Sequence, residues 1–158
     1  MEHGFSWAIT MDADGQHEPA YLPIFLERIR EEVDIVSGSR YLQPDLAYGP
    51  VPEDRRWVNQ IVTALLRGVT GYNITDAFCG FRALRLAPIP ELELTQDGYG
   101  FPVEFWIKAA HKGLRVEEVA VPLIYHDFDK GVGRHPPRER LAHYLEVAAE
   151  ALRWTSSS

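Results

Sequence analysis

Two carboxylates stand two residues apart in the segment Asp12-Ala13-Asp14-Gly15, directly after a short apolar run over residues 5–11. Carboxylate oxygens are the hard ligands that Mg²⁺ and Mn²⁺ prefer, and a cation held by two side chains keeps positions for water and phosphate oxygens. The chemistry that this arrangement suits is stabilisation of a leaving group on a diphosphate. The alternative is a plain polar turn, because Asp and Gly also favour turns in any α/β protein.

Other chemically active residue types have simpler interpretations. His17 and His126 are interpreted as solvated loop histidines, although His126 follows a predicted strand and remains a further candidate metal ligand. Cys79 is expected to be a small buried residue rather than a nucleophile. Trp57 and Trp106 fit the apolar stripes of two helices better than a platform for a sugar ring.

Strands and helices alternate along the chain, and this alternation predicts an α/β fold. A strand is expected before the acid pair, a second over 33–38, a third in the second half of 76–84, and a fourth over 115–125. Apolar residues at helical spacing predict helices over 20–31, 55–67, 101–111 and 138–154. Residues 43–54, which include three Pro and one Gly, are expected to form a loop.

Composition excludes several classes of protein. The chain has 158 residues, 46% of them hydrophobic, and a net charge of −7, so general disorder and a broad nucleic-acid surface are not expected. Its single Cys excludes a disulfide scaffold. There is no apolar run of about 20 residues and no signal-peptide pattern, which favours a cytoplasmic domain without a nucleic-acid partner.

Six segments in order along the chain resemble the motifs of family 2 glycosyltransferases. The resemblance is to enzymes of the polyprenyl-phosphate type, which are similar to dolichol-phosphate mannose synthase. The first is the acid pair, which continues as Gln16-His17-Glu18-Pro19, and the second is Gly38-Ser39-Arg40-Tyr41. The other four lie at residues 55–59, 76–83, 98–104 and 113–122. An acid pair after a strand also occurs in haloacid-dehalogenase-like phosphatases, but Gln16 stands where that family has Thr, and Lys112, Asp127 and Asp129 lack its spacing.

The resemblance implies a fold and an activity. The fold is an α/β, partial GT-A fold with a mixed sheet flanked by helices. The activity is transfer of a sugar from a nucleotide-diphosphate sugar to a lipid-phosphate or other acceptor, with Mg²⁺ or Mn²⁺ on the diphosphate. A polyprenyl-phosphate acceptor implies a location at the inner face of a membrane. The loop at 127–134 lacks the Ser-Lys pair of the lipid-phosphate synthases, which weakens the case for that acceptor more than the case for sugar transfer.

The resemblance also implies roles for individual residues. The metal ligands would be Asp12 and Asp14, and Gln16 would lie near a substrate phosphate. Basic residues would face phosphates, and these are Arg40, Arg56, Lys130 and Arg134. The candidate catalytic residues are Asp76, Arg82 and Glu104. Asp76 would act as a base or an orienting carboxylate, or it would only cap a turn. Glu104 would bind a sugar hydroxyl or hold Arg82 in a structural ion pair.

The family carries several βαβ units before the acid pair, whereas only eleven residues precede Asp12 here. We therefore expect the C-terminal portion of a larger domain, which lacks the nucleotide-binding strands. Residues 1–137 would form the metal-binding and acceptor-side half, and residues 138–158 a helix and tail. The apolar strand over 5–11 would then be an edge that self-associates or pairs with a missing half. An inactive scaffold that needs a partner chain is the alternative to an active enzyme.

Overall fold

The computed structural model of the chain describes residues 4–48, 53–124 and 136–156, which form parts of two compact units. The first unit contains residues 4–48, 79–93 and 114–124. The second contains residues 53–78, 94–113 and 136–156. The chain therefore alternates between the units, and the predicted motif over 76–83 has residues in both.

The first unit is built on a four-stranded mixed sheet. Its strands are β1 (Trp7–Thr10), β2 (Ile35–Ser39), β4 (Arg82–Arg85) and β5 (Val116–Ala120), in the spatial order β1-β4-β2-β5. The strand β4 runs antiparallel to both β1 and β2, so β1 and β2 point in the same direction. The strand β5 runs parallel to β2. Three strands therefore finish, and β4 starts, at one end of the sheet, which we name the carboxyl end.

A helix and a second, small sheet complete this unit. The helix α1 (Leu22–Arg28) follows a 3-10 turn at Pro19–Tyr21, where proline suits the first helical position. Two-residue strands β3 (Ala47–Tyr48) and β6 (Leu123–Ile124) pair in parallel. Pro122 separates β5 from β6, because a proline interrupts the hydrogen-bonding pattern of a strand.

The core of the first unit lies between α1 and one face of the sheet. Phe25 of α1 is fully buried, and its ring stacks on Phe81 with 4.2 Å between the ring centroids. The other buried members of this cluster are Val33, Val36, Cys79, Ala83, Val119 and Val121. Burial of Cys79 confirms its predicted role as a small core residue.

An acidic side chain fixes the opposite end of the sheet. The Asp34 carboxylate accepts hydrogen bonds from the backbone and side chain of Arg115 and lies 3.1 Å from Nε of Arg85. Burial alone would raise the pKa of Asp34, but the hydrogen bonds and charge of Arg115 and the charge of Arg85 outweigh it and lower that pKa. This ionised contact ties together the starts of β2 and β5 and the end of β4.

The second unit is helical. Its helices are α2 (Glu53–Thr70), α3 (Phe101–His111) and α4 (Pro137–Thr155), and each contacts the other two. Apolar residues of α2, α3 and α4 are buried in it, among them Val58, Val62, Leu66, Val103, Trp106, Ile107, Tyr144, Val147, Ala148 and Ala151. Within the described ranges, no helix is both long and apolar enough to cross a membrane.

Most predicted elements are confirmed, with shifted ends. The helix over 101–111 has the predicted bounds, whereas α1 is shorter than the predicted helix over 20–31. The loop over 43–54 was predicted too long, because it includes β3 and the start of α2. Trp106 is fully buried as predicted, but the prediction for Trp57 was wrong, since 45% of that residue is exposed.

The strand β1 lies at the edge of the sheet, and among the described residues only β4 pairs with it. Trp7 and Ile9 pack against the core, so Ala8 points to the other face. We expect the chain to self-associate through this edge, and we expect the A8K variant to reduce that association because a lysine disfavours edge-to-edge pairing. Sedimentation velocity over a wide range of concentration measures the effect.

The matched control is L145K, which places a lysine at an exposed leucine of α4 and is expected to leave self-association unchanged. A chain that stays monomeric at the highest concentration would contradict the prediction. Equal association of A8K and L145K would also contradict it.

Candidate active site

The carboxyl end of the four-stranded sheet gathers several of the predicted residues of the first unit. Asp12 and Asp14 follow β1, and Arg40 follows β2 directly. Arg82 opens β4 at the same end, because it stands opposite Thr10 on β1 and Ser37 on β2. In open α/β sheets, ligands bind outside the carboxyl ends of strands. Sheet topology thus brings two acids and two arginines from distant parts of the sequence to one end of the sheet.

The acid pair lies in an exposed turn over residues 11–16, which we name the acidic turn. Asp14 Oδ1 accepts the backbone N–H of Gln16 at 3.0 Å, and Gly15 has a φ of +79° that a glycine adopts without strain. The Asp12 side chain is 61% exposed. Both carboxylates therefore combine a locally fixed backbone with access to solvent.

Gly80 makes room for one of these carboxylates. A Cβ atom at residue 80 would lie 2.7 Å from Oδ2 of Asp12, which is closer than real Cβ contacts. Thr10 Oγ1 donates a hydrogen bond to the Gly80 carbonyl at 2.8 Å and so holds the two segments together. The glycine of the 76–83 motif thus allows the carboxylate of Asp12 to lie against the backbone before β4.

The donor set fits a hard divalent cation. Asp12 and Asp14 offer carboxylate oxygens, and within residues 4–48, 53–124 and 136–156 no group of three or more His, Cys, Asp or Glu could hold a metal. A cation held here by the described residues would take only these two acids from the protein and its other ligands from water and phosphate. That balance suits Mg²⁺ or Mn²⁺, which commonly bind with one or two carboxylates and substrate phosphates.

Asp76, in the second unit, is fully buried in a polar network. Its Oδ1 accepts a hydrogen bond from Nδ2 of Asn59 at 2.8 Å and from the backbone N–H of Phe78 at 3.2 Å. The Thr63 hydroxyl donates to Oδ1 of Asn59 at 2.8 Å and accepts the backbone N–H of Ala77 at 3.2 Å. Asp76 therefore does cap its turn, and α2 also holds its carboxylate from one side.

Glu104 is buried at the start of α3 and faces protein groups of its own unit. Its carboxylate lies 2.8 Å from Nζ of Lys108 and accepts the backbone N–H groups of Thr95 and Gln96. Burial by itself raises the pKa of Glu104, but the hydrogen bonds from Lys108, Gln96 and Thr95 outweigh it and lower that pKa. Glu104 thus fixes residues 95–96, while its predicted catalytic role stays a prediction.

The remaining predicted residues differ in exposure, and three of them lie outside the described ranges. Arg56 is exposed on α2 and lines an open groove of about 710 Å³ together with Trp57 and Arg138. Gln16 and Arg40 are half-buried, and Arg82 is buried. Three predicted residues lie outside the described residues, namely His126, Lys130 and Arg134.

Comparison with known proteins decides among the families that place an acid pair after a strand. The sequence model of glycosyl transferase family 2 matches residues 4–92, which is more than half of the chain. The chain belongs to glycosyl transferase family 2. The match includes β1, the acidic turn, β2 and β4, and it gives no support to the phosphatase alternative.

Three relatives of this family 2 chain carry related names. An undecaprenyl-phosphate mannosyltransferase of Micrococcus luteus is 33% identical over 127 residues, which cover 78% of this chain and 51% of that protein. A polyprenol monophosphomannose synthase of Mycolicibacterium smegmatis is 28% identical over 85% of this chain and 51% of its own length. A dolichyl-phosphate hexose transferase of Haloferax volcanii is 30% identical over 72% of this chain and 48% of its own length.

The chain spans about half the length of the curated relatives it matches. That coverage agrees with the predicted partial domain. The four-stranded mixed sheet and the alternating helices agree with the predicted partial GT-A fold. The predicted membership of family 2 is therefore confirmed.

Four residues that were not predicted as site residues contribute to these clusters. His17 was interpreted as solvated, but it is buried and accepts the backbone N–H of Asp12. Asn59 and Thr63 hold Asp76, and Lys108 pairs with Glu104. The sequence contained a signal for Asn59, Thr63 and Lys108, because polar residues four positions apart on a helix share one face. Asn59 and Thr63 have this spacing on α2, and Glu104 and Lys108 have it on α3. Loop position alone gave no signal for the burial of His17.

Asn59 offers a test of the Asp76 network. We expect N59A to lower the free energy of unfolding by about 2–3 kcal/mol, because it removes one hydrogen bond from the buried Asp76 carboxylate and the acceptor of the buried Thr63 hydroxyl. N59D keeps the shape but faces Asp76 with a second carboxylate, so we expect a larger loss. Urea unfolding measures both. The exposed neighbour Gln60 supplies the control Q60A, and equal stability of N59A and Q60A would contradict the network.

The Glu104–Lys108 pair predicts a pH dependence. The pKa of Glu104 is lowered in the folded chain, so the ionised carboxylate stabilises the fold. This stabilisation is complete at pH values above the ordinary pKa of a Glu side chain, and it is lost as the pH falls through the lowered pKa of Glu104. We expect E104Q to cost about 3 kcal/mol at pH 7, and we expect the difference from the unsubstituted chain to shrink as the pH falls below the ordinary pKa of a Glu side chain. Urea unfolding at several pH values measures this. The double variant E104Q/K108M should regain part of the loss, and a pH-independent difference would contradict the assignment.

Proposed function

We propose that this chain supplies the metal-binding and acceptor-side groups of a glycosyltransferase that moves a hexose from a nucleotide-diphosphate sugar to a polyprenyl phosphate. The observation that carries the proposal is the gathering of Asp12, Asp14, Arg40 and Arg82 at the carboxyl end of one sheet. The names of the matched relatives support the choice of a polyprenyl-phosphate acceptor and of a hexose, mannose in two of them.

In this proposal Asp12 and Asp14 hold Mg²⁺ or Mn²⁺ against the diphosphate of the donor. The cation would neutralise charge that develops on the leaving nucleoside diphosphate. Gln16, in the same turn, would lie beside a substrate phosphate. Residues 1–137 would carry these groups, and residues 138–158 would add the last helix and tail.

The arginines would bind and orient phosphates. A guanidinium group presents a planar fork that matches phosphate oxygens with two hydrogen bonds, which a lysine does not reproduce. Arg40 follows β2 at the carboxyl end of the sheet, and Arg56 is exposed at the first turns of α2. Lys130 and Arg134 would add further positive charge for the same purpose.

Asp76 would orient the acceptor rather than remove a proton from it. An acceptor phosphate is already ionised at neutral pH, so little base catalysis is required and positioning supplies most of the rate. The contacts of Asp76 support this role, because Asn59 and the backbone of Phe78 fix its carboxylate in one direction. The acceptor in this proposal is a lipid, so the reaction would take place at a membrane surface, as expected for a cytoplasmic peripheral enzyme.

The alternative is a scaffold without turnover that needs a partner chain. One observation favours it, since the outer edge of β1 has no partner among the described residues while the matched relatives are about twice as long. In that case the acidic turn would still bind a cation, but sugar transfer would require additional strands. The two functions therefore separate in an assay that measures binding and transfer independently.

The test measures transfer of radiolabelled hexose from GDP- and UDP-linked donors to undecaprenyl phosphate in detergent with Mn²⁺. For a chain that is active by itself we expect lipid-linked product, and we expect D12N and D14N each to lower its rate by at least about 100-fold because charge on the leaving group is no longer stabilised. E146Q removes an exposed carboxylate from α4 and should leave the rate unchanged.

Two outcomes would contradict the proposed enzyme. Transfer that is insensitive to D12N and D14N would remove the acid pair from the mechanism. Binding of Mn²⁺ and donor without any lipid-linked product would favour the scaffold, and addition of the corresponding first half of a matched relative then tests whether transfer is restored.

A further inference from the structure

His17 is the buried residue of an otherwise exposed segment. The residues on either side of it within 11–20 are exposed or half-buried, whereas its side chain is only 4% exposed. The imidazole stacks on Phe81 with 5.2 Å between ring centroids, and Phe81 in turn stacks on Phe25 of α1. The end of the acidic turn is therefore anchored in the core of the first unit.

The hydrogen bonds of His17 define its protonation. The backbone N–H of Asp12 donates to Nδ1 at 2.9 Å, so Nδ1 carries no proton and the ring is the neutral tautomer with hydrogen on Nε2. Nε2 lies 4.0 Å from Sγ of Cys79, which is a weak acceptor. The 3.9 Å between Nδ1 and Oδ2 of Asp12 is accordingly not an ion pair, because both atoms are acceptors.

We propose that His17 is a positioning residue, which closes the acidic turn on the Asp12 backbone and so pre-organises Asp12 and Asp14 for a divalent cation. This inference rests on the proposed function for the cation, but the closed backbone is a property of the chain itself. The hydrogen bond from the Asp12 N–H to His17 joins the two ends of the turn. The hydrogen bond from the Gln16 N–H to Asp14 fixes its middle. A turn that is already closed loses less conformational entropy when it binds.

Packing alone does not account for a histidine at this place. A phenylalanine would stack on Phe81 and fill the same slot, without the cost of burying polar nitrogen atoms. The polar atom that histidine adds accepts the backbone N–H of Asp12, which is a candidate metal ligand. Groups that orient metal ligands in this way typically change metal affinity by about 10–100-fold when they are removed.

Two substitutions separate positioning from packing. H17F keeps the stacked ring but has no acceptor for the Asp12 N–H. H17N loses the ring but keeps an oxygen one bond from Cγ, which is where Nδ1 stands in histidine. If His17 only fills space, H17F should resemble the unsubstituted chain in cation affinity and Asp12 exchange more closely than H17N does. If His17 positions the Asp12 backbone, H17N should resemble it more closely.

The experiment uses the whole 158-residue chain and two readouts. Electron paramagnetic resonance of free Mn²⁺, with and without GDP, gives the Kd for the cation. Hydrogen exchange of the Asp12 amide, followed by NMR, reports on the turn without any metal. We expect H17F to raise the Kd about tenfold and to speed Asp12 exchange by a similar factor, and H17N to stay within about threefold on both.

The tautomer and a control complete the design. A long-range ¹H–¹⁵N spectrum of the unsubstituted chain should show His17 protonated at Nε2. His111 contacts Trp154 in the second unit and lies outside these clusters, so H111F should leave both readouts unchanged. A proton at Nδ1, or slow Asp12 exchange in H17F, would overturn the inference. Absence of Mn²⁺ binding by the unsubstituted chain would instead contradict the proposed function, and the exchange of Asp12 would still decide the role of His17.

Discussion

The antiparallel position of β4 between β1 and β2 is the constraint on which the candidate site depends. β4 pairs with both neighbours, so it forces β1 and β2 to run in the same direction and to finish at one end of the sheet. The acidic turn and Arg40 follow those two strands, and Arg82 begins β4 at that same end. Without this shared partner, residues separated by about 70 positions in the sequence would have no common location. The common location of the candidate residues in the first unit is thus a consequence of strand pairing.

The residues just before β4 then connect the core to the acidic turn. Phe81 stacks on Phe25 on one side and on His17 on the other, while Gly80 leaves room for the Asp12 carboxylate. A bulky apolar residue and a glycine therefore perform opposite tasks at adjacent positions. The Phe81 ring holds His17 against a closely packed core, and such a core is hard to deform. The missing side chain allows an exposed, charged group to rest against the backbone without displacing it.

The sequence predicted the elements better than the surroundings of individual residues. Local pattern gave the bounds of α3 and placed the acid pair after a strand, although that strand is half-buried rather than buried as predicted. Burial of a single side chain depends on what packs over it, which pattern does not contain. Trp57 belongs to an apolar stripe yet remains exposed, and His17 belongs to a polar loop yet is buried. The Asn59–Asp76 bond joins α2 to a turn 17 residues away, so helical spacing indicated a shared face but not the partner.

The four candidate carboxylates of the site fall into two groups by environment, and their environments argue for different roles. Asp12 and Asp14 are exposed, so water rather than a protein cation solvates most of their oxygens, and a divalent cation can displace that water. Asp76 and Glu104 are buried, and donors from their own unit hold them. An acid whose pKa is lowered by such donors, as in Glu104, is a weak base at neutral pH. Glu104 is therefore suited to fix the loop before α3, whereas the exposed pair has the solvent access that a bound cation requires.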